Sequence, residues 1–222
     1  MAGIAIDGPA GAGKSTIAKK VAKELGFIYV DTGALYRAIA HYLVTNRIDI
    51  EDEAALTKAC EGITVAIEYE NDVQQVYLNG ENVTPYLRTE ETGNMASKSS
   101  AKPPVRAALL DLQRDMAKQH NVVMDGRDIG TMVLPDAEVK IYLTASSKER
   151  ANRRYKELLE KGEQPDFDKI ESDIIERDER DMNRAIAPLK QAEDAVLVDS
   201  SDMSIEEVVE AILAAAREKM RI

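Results

Sequence analysis

Eight residues near the amino terminus, Gly8-Pro9-Ala10-Gly11-Ala12-Gly13-Lys14-Ser15, constrain this chain's fold more than any other stretch. They match G-x-x-x-x-G-K-[ST] and follow a short apolar run, Gly3-Ile4-Ala5-Ile6-Asp7. After them Ile17, Ala18, Val21, Ala22 and Leu25 recur at helical spacing, closed by Gly26. Strand, glycine-rich turn and helix, in that order, form the context in which such a turn wraps phosphate groups. Glycines let backbone N–H groups turn inward, and the helix N-terminus adds partial positive charge. Lys14 has the reach for β and γ phosphates, and the Ser15 hydroxyl suits Mg²⁺. A turn that binds nothing is the competing reading, which the strand-to-helix context disfavours.

The alternation continues along the chain. Phe27–Val30, Val122–Met124, Val139–Leu143 and Ala195–Val198 read as further buried strands, and a helix is predicted from about Ala34. Strands alternating with helices predict an α/β fold with a parallel sheet. Ser146 with Glu149, Asp168 with Glu171 and Ser204 with Glu207 carry capping-box spacing, which predicts three later helix starts. Between about Gly62 and Pro85 the period changes. Ile63, Val65, Ile67 and Tyr69 alternate, Asn71-Asp72 follows, and Val76-Tyr77-Leu78 runs into Asn79-Gly80, which predicts a β-hairpin with a third short strand. Pro104 then suits the first turn of a helix through Val105, Leu109, Leu112 and Met116.

At 222 residues, one main core with excursions is expected. No apolar run approaches the roughly 20 residues that span a bilayer, and no leader-like segment opens the chain, so a cytoplasmic protein is expected. One cysteine, Cys60, and two histidines exclude a disulfide framework and a Cys/His metal cage. The formal net charge of −11 makes nucleic acid a poor partner, so arginine clusters stand out against an acidic background.

A phosphate loop fits a kinase, a signalling GTPase or a regulatory nucleotide-binding module. The GTPase reading lacks an Asn-Lys-x-Asp tetrapeptide for guanine. Asp125, closing the Val122 strand, is either a Mg²⁺-coordinating carboxylate or a turn residue. Phosphoryl transfer depends on positioning and charge cancellation, for which guanidinium groups are the expected tools. Arg177, Asp181 and Arg184 fall at i, i+4 and i+7, placing them on one helix face, and Arg150, Arg153 and Arg154 share another. Asp31-Thr32-Gly33-Ala34-Leu35-Tyr36-Arg37 and Asp125-Gly126-Arg127-Asp128 each follow a core strand, where α/β sheets hold ligands.

GPAGAGKST, DTGALYR at Asp31 to Arg37, DGRDIG at Asp125 to Gly130, and ERDERDMNR at Glu176 to Arg184 followed by Ala185-Ile186-Ala187-Pro188-Leu189 together resemble the bacterial cytidylate kinases across essentially the whole chain. The resemblance implies a five-stranded parallel sheet of P-loop NTPase type flanked by helices. It also implies a single kinase domain: core at 1–61 and 89–222, a small β-rich acceptor-binding insertion at about 62–88, and a helical lid at about 153–168. ATP would lie on Gly8, Pro9, Ala10, Gly11, Ala12, Gly13, Lys14, Ser15 and Thr16, with Arg153 beside it. Ser97, Arg106 and Asp128 would read cytosine. Arg37, Arg127 and Arg184, helped by Thr32, would hold the acceptor phosphate, while Arg177 and Asp181 approach ribose and phosphate. Lys14, Arg127, Arg177 and Arg184 are the catalytic set so implied, and Mg²⁺ with ATP is the implied cofactor, with Ser15 as its protein ligand. The substrates would be ATP with CMP or dCMP, handled by a monomer without nucleic-acid or membrane partners. Ser15 stands where some members have glycine, and Thr32 where some have serine.

Hydrogen-bond chemistry favours the same base. Cytosine presents an amino donor at N4 and acceptors at N3 and O2, which a carboxylate and a guanidinium complement. Uracil reverses two of those groups and would face like against like. A kinase for UMP or for a non-nucleotide metabolite is the second enzymatic reading, and a nucleotide-binding regulator is the alternative from another class.

Overall fold

The computed structural model describes residues 1–220. In chain order, β1 (Gly3–Asp7) is followed by α1 (Lys14–Leu25), β2 (Ile28–Asp31), α2 (Thr32–Thr45) and α3 (Glu53–Glu61). Three short strands, β3 (Val65–Glu70), β4 (Val73–Leu78) and β5 (Glu81–Asn82), precede α4 (Glu90–Ser99) and α5 (Pro103–Gln119). Then come β6 (Val122–Gly126), a π-helical turn at Ile129–Val133, β7 (Val139–Thr144), α6 (Ser147–Glu160), α7 (Phe167–Asn183), β8 (Val196–Asp199) and α8 (Ile205–Met220). Two compact units emerge, each described by itself: a hairpin-bearing unit of Val30–His120 with Met1, and a loop-bearing unit of Ala2–Tyr29 with the chain from Asn121 onward. Among the described residues no helix is long and apolar enough to cross a membrane.

The large sheet has the order β2-β6-β1-β7-β8, five parallel strands as expected. Its centre is β1, paired with β6 from Gly3 opposite Val122 and with β7 from Ile4 opposite Val139. A strand flanked on both sides and covered on both faces is mainly apolar, and Ile4, Ala5 and Ile6 are fully buried. Val21 of α1 and Ile212 of α8 belong to the same core as Ile6, Val123 and Ile141. The centre of the sheet therefore delivers the glycine loop at its carboxyl end, where such folds bind ligands.

The hairpin-bearing unit is built on α2, whose Leu35, Ala38, Ile39 and Leu43 form one buried stripe at helical spacing. Val76 and Leu78 of β4, with Val105 and Leu109 of α5, share that core. Two-residue turns set the hairpin register: Asn71-Asp72 between Glu70 and Val73, and Asn79-Gly80 between Leu78 and Glu81. All four turn residues have positive φ, as hairpin turns of this kind require, and Asn, Asp and Gly tolerate it best.

Several local expectations shift. α2 starts at Thr32 rather than near Ala34, because the Asp31 carboxylate caps it by accepting from Ala34 N–H at 2.9 Å. Ser146 caps α6, and Ser204 with Glu207 forms a reciprocal capping box. α7 is instead capped by Asp166, which accepts from Lys169 N–H, while Glu171 takes a bond from Ser147 Oγ on α6. Two acidic residues two apart compete for that cap, and the earlier one wins. Arg184 lies beyond α7 on extended backbone, so it does not continue the helix face of Arg177 and Asp181.

Leu35→Ala should lower the stability of the hairpin-bearing unit by about 2–5 kcal/mol, the usual cost of emptying a fully buried leucine site. Urea denaturation followed by amide exchange of α2 and α5 would measure it, and a loss below about 1 kcal/mol would contradict the packing described.

Candidate active site

The glycine loop is shaped by backbone close approach. A Cβ on Gly8 would lie 1.9 Å from the Leu143 carbonyl oxygen of the neighbouring strand, so no side chain fits there. Gly13 takes a left-handed conformation at the N-cap of α1, and Lys14 is the first helical residue. Lys14 is only 6% exposed, and its Nζ donates to the Pro9 carbonyl at 2.7 Å. Burial pushes its pKa well below the usual lysine value, the nearby guanidinium of Arg127 pushes the same way, and Asp125 and Asp7 oppose them. Arg177 adds a further positive charge. Lys14 thus shares the loop with the positive charge of Arg127 and Arg177 and the negative charge of Asp125 and Asp7.

Ser15 Oγ donates to Asp125 Oδ2 at 2.8 Å, and Tyr29 donates its hydroxyl proton to Asp125 Oδ1 at 2.8 Å. A hydroxyl and a carboxylate in contact at the loop are hard oxygen donors that fit Mg²⁺. No group of three or more His, Cys, Asp or Glu that could hold a metal ion gathers among the described residues.

The arginines beyond β6 are held by buried carboxylates. Arg127 Nε meets Asp181 Oδ2 at 3.1 Å, and its Nη1 donates to the Gly126 carbonyl at 3.2 Å. Arg184 Nη2 meets Asp128 Oδ1 at 3.2 Å with both side chains almost fully buried, and its Nε donates to the Ala187 carbonyl. Arg153 donates to the Ser200 carbonyl at 2.8 Å and lies over Gly13. Arg154 pairs with Glu157 on its own helix.

In the hairpin-bearing unit, Arg37 reaches both oxygens of Asp31, at 3.1 and 3.3 Å, and its Nε is buried without a hydrogen-bond partner among the described residues. Thr32 is buried beside it at the start of α2. Gln74 of β4 bonds both to Asp31 N–H and to its carbonyl, tying the hairpin to this corner. At the α4–α5 junction Arg106 stacks on Tyr36 at 5.6 Å and donates to the Ser100 carbonyl at 3.2 Å, and Ser97 is buried one turn earlier.

Sequence reasoning missed Asp7. Its two oxygens accept from Ile129 and Gly130 N–H at 2.8 and 2.7 Å and so hold the π-helical turn behind Asp128. Burial raises its pKa to about 6; the two N–H bonds oppose this, Asp128 adds to it and Lys14 opposes it. A charge closing an otherwise apolar strand just before Gly8 was the available signal.

A glycine loop at the end of a central parallel strand, with a buried lysine and clustered guanidinium groups, defines a phosphate-loop kinase. A family model described as cytidylate kinase matches residues 4–218. A cytidylate kinase of Shouchella clausii (strain KSM-K16) is 51% identical over 218 residues, covering 98% of this chain and 97% of its own. One from Listeria welshimeri is 49% identical, covering 98% and 96%. The chain belongs to the cytidylate kinase family. Among solved structures, a gluconokinase from Sinorhizobium meliloti 1021 superposes with a TM-score of 0.50 at 14% identity over 99% of this chain and 94% of its own, a likeness of fold alone.

The Asp7 carboxyl should titrate with a midpoint near pH 6. Because its folded pKa is raised, its stabilising contribution is complete below the ordinary value of 3.8 and is lost as pH rises through about 6. Carboxyl-carbon NMR across pH 3–8 would follow it, and a midpoint near 4 would refute the burial argument.

Proposed function

We propose that this chain transfers the γ-phosphoryl group of ATP to CMP, and also to dCMP, releasing ADP and the nucleoside diphosphate. One observation carries the reading: Lys14 lies buried at the start of α1 in the glycine loop with its Nζ on the Pro9 carbonyl, where the like charge of Arg127 and Arg177 makes bound phosphate groups favourable. Family membership supports the choice of acceptor. The attacking group is an oxygen of the acceptor phosphate, already anionic near neutral pH, so the step needs no general base. As it bonds to the γ-phosphorus, the bond from that phosphorus to the β-phosphate bridging oxygen breaks, and charge shifts toward ADP. Lys14 and the loop N–H groups oppose that shift. Mg²⁺, held by Ser15 and by Asp125, would screen the β and γ oxygens.

For the acceptor, Arg37, Thr32, Arg127 and Arg184 serve the phosphate, Ser97, Arg106 and Asp128 the cytosine edge, and Arg177 with Asp181 the ribose and phosphate. Residues 62–88 form the acceptor-binding insertion and 153–168 the lid of one kinase domain, which acts as a cytoplasmic monomer.

ADP formation measured with CMP, dCMP, UMP and AMP tests the reading. CMP should stimulate it far above the acceptor-free rate, and Lys14→Ala should lower kcat about a hundredfold while remaining folded. ADP release that ignores the acceptor would instead favour a regulator that merely hydrolyses ATP.

Asp128→Asn separates base reading from positioning. Loss of the carboxylate should lower the CMP-to-UMP ratio of kcat/KM about tenfold, or about 1.4 kcal/mol, since an amide can turn its NH₂ toward the uracil O4. If both acceptors lose equally, Asp128 acts by holding Arg184 rather than by reading the base.

A further inference from the structure

Arg150 belongs to no role assigned above, yet it is among the most completely engaged side chains of the loop-bearing unit. It stands in the first turn of α6 and is 5% exposed. Nε donates to the Ala145 carbonyl at the exit of β7 at 2.9 Å, Nη1 donates to the Ala10 carbonyl of the glycine loop at 2.9 Å, and Nη2 meets Asp178 Oδ2 of α7 at 2.6 Å. Its aliphatic stem lies along Gly11, where an added Cβ would come within 3.4 Å of the Arg150 Cβ. Asp178 is buried as well, and its second oxygen, Oδ1, has no hydrogen-bond partner among the described residues.

The bond to Ala10 has a geometric consequence. A trans peptide points its C=O and its N–H in opposite directions. With the Ala10 carbonyl drawn to the buried Arg150, the Gly11 N–H is turned away from Arg150, and Gly11 is itself an exposed residue of the loop. If that peptide flipped, the loop would offer an oxygen where a phosphate needs a donor. Gly11 has a φ of +76°, in the region where glycine rotates at little cost, so the loop's own backbone does little to prevent a flip.

We propose that Arg150, oriented by Asp178, is a positioning residue that locks the Ala10–Gly11 peptide plane with its N–H facing the donor phosphates. The inference rests on reading the loop as the ATP site. Only a planar fork can serve the Ala145 carbonyl, the Ala10 carbonyl and the Asp178 carboxylate at once; a lysine ammonium has no such fixed geometry. Asp178 meets the fork through Oδ2 at 2.6 Å and so fixes its direction.

Wild type, Arg150→Lys, Asp178→Asn, the double variant and Lys14→Ala would be compared for ADP affinity by calorimetry, for the KM of ATP and of CMP, and for thermal unfolding. Arg150→Lys should weaken ADP binding and raise the ATP KM about tenfold, the scale of a misdirected hydrogen bond to a charged group, with the CMP KM changed less than about twofold. Asp178→Asn keeps volume and one acceptor, so a loss of about threefold is expected, and the double variant should be no worse than Arg150→Lys alone, as expected of two residues acting through one contact. A brace serving the fold alone would lower the unfolding temperature and leave ADP affinity untouched, which overturns the proposal, as would equal rises in both KM values. If wild type binds no ADP, the loop reading itself fails; if wild type binds and both variants bind equally well, only the positioning role falls. Should Arg150→Lys not fold, the affinity of Asp178→Asn decides.

Discussion

Taking the Lys14 ammonium out of water is the costly act around which the loop-bearing unit is organised. Burial favours the neutral amine, and Arg127 and Arg177 favour it further. The Pro9 carbonyl, Asp125 and Asp7 compensate in part. Negative charge arriving at the loop would add to that compensation. The same position depends on the sheet: Lys14 follows a loop that leaves the central strand through Gly8, and any side chain there would collide with the Leu143 carbonyl. The sheet order, the glycine and the buried cation are therefore one constraint.

Three arginines of that unit each meet a buried aspartate: Arg127 with Asp181, Arg150 with Asp178 and Arg184 with Asp128. Buried ion pairs seldom stabilise a fold more than apolar side chains of equal volume would, because desolvation offsets their attraction. Their value here lies in direction. A long side chain with considerable rotamer freedom is held in one geometry before any ligand arrives, which lowers the ordering cost of binding. Arg154, more exposed and paired with Glu157 of its own helix, lacks that arrangement and contributes little beyond solvation of α6.

Features written in local pattern were legible from the residues. All five strands of the large sheet, the hairpin with both turns, and the Ser146 and Ser204 caps follow from period, turn chemistry and spacing. Long-range choices were less accessible. Asp166 and Asp168 look equally able to cap α7, and only packing of Glu171 toward Ser147 distinguishes them. Arg184 sits at helical spacing from Arg177, but a bond from Leu189 N–H to the Asp181 carbonyl folds the following segment back and ends the helix first. Asp7 and Arg150 owe their environment to backbone groups more than a hundred residues away in sequence, which no periodicity encodes.

A chain of net charge −11 that must attract small phosphate esters faces an apparent conflict. Its long-range field repels polyanions, while its local guanidinium groups are partly neutralised by their aspartates. The hydrogen-bond inventory of arginine resolves the conflict. The fork carries five N–H donors, more than the two bonds that Arg127 makes through Nε to Asp181 and Nη1 to Gly126. That leaves donors with which an anion would meet Arg127 without breaking its ion pair, while Asp181 sets the plane of the fork. Lysine in the same place, with three rotatable donors and no plane, would fix the direction of neither partner.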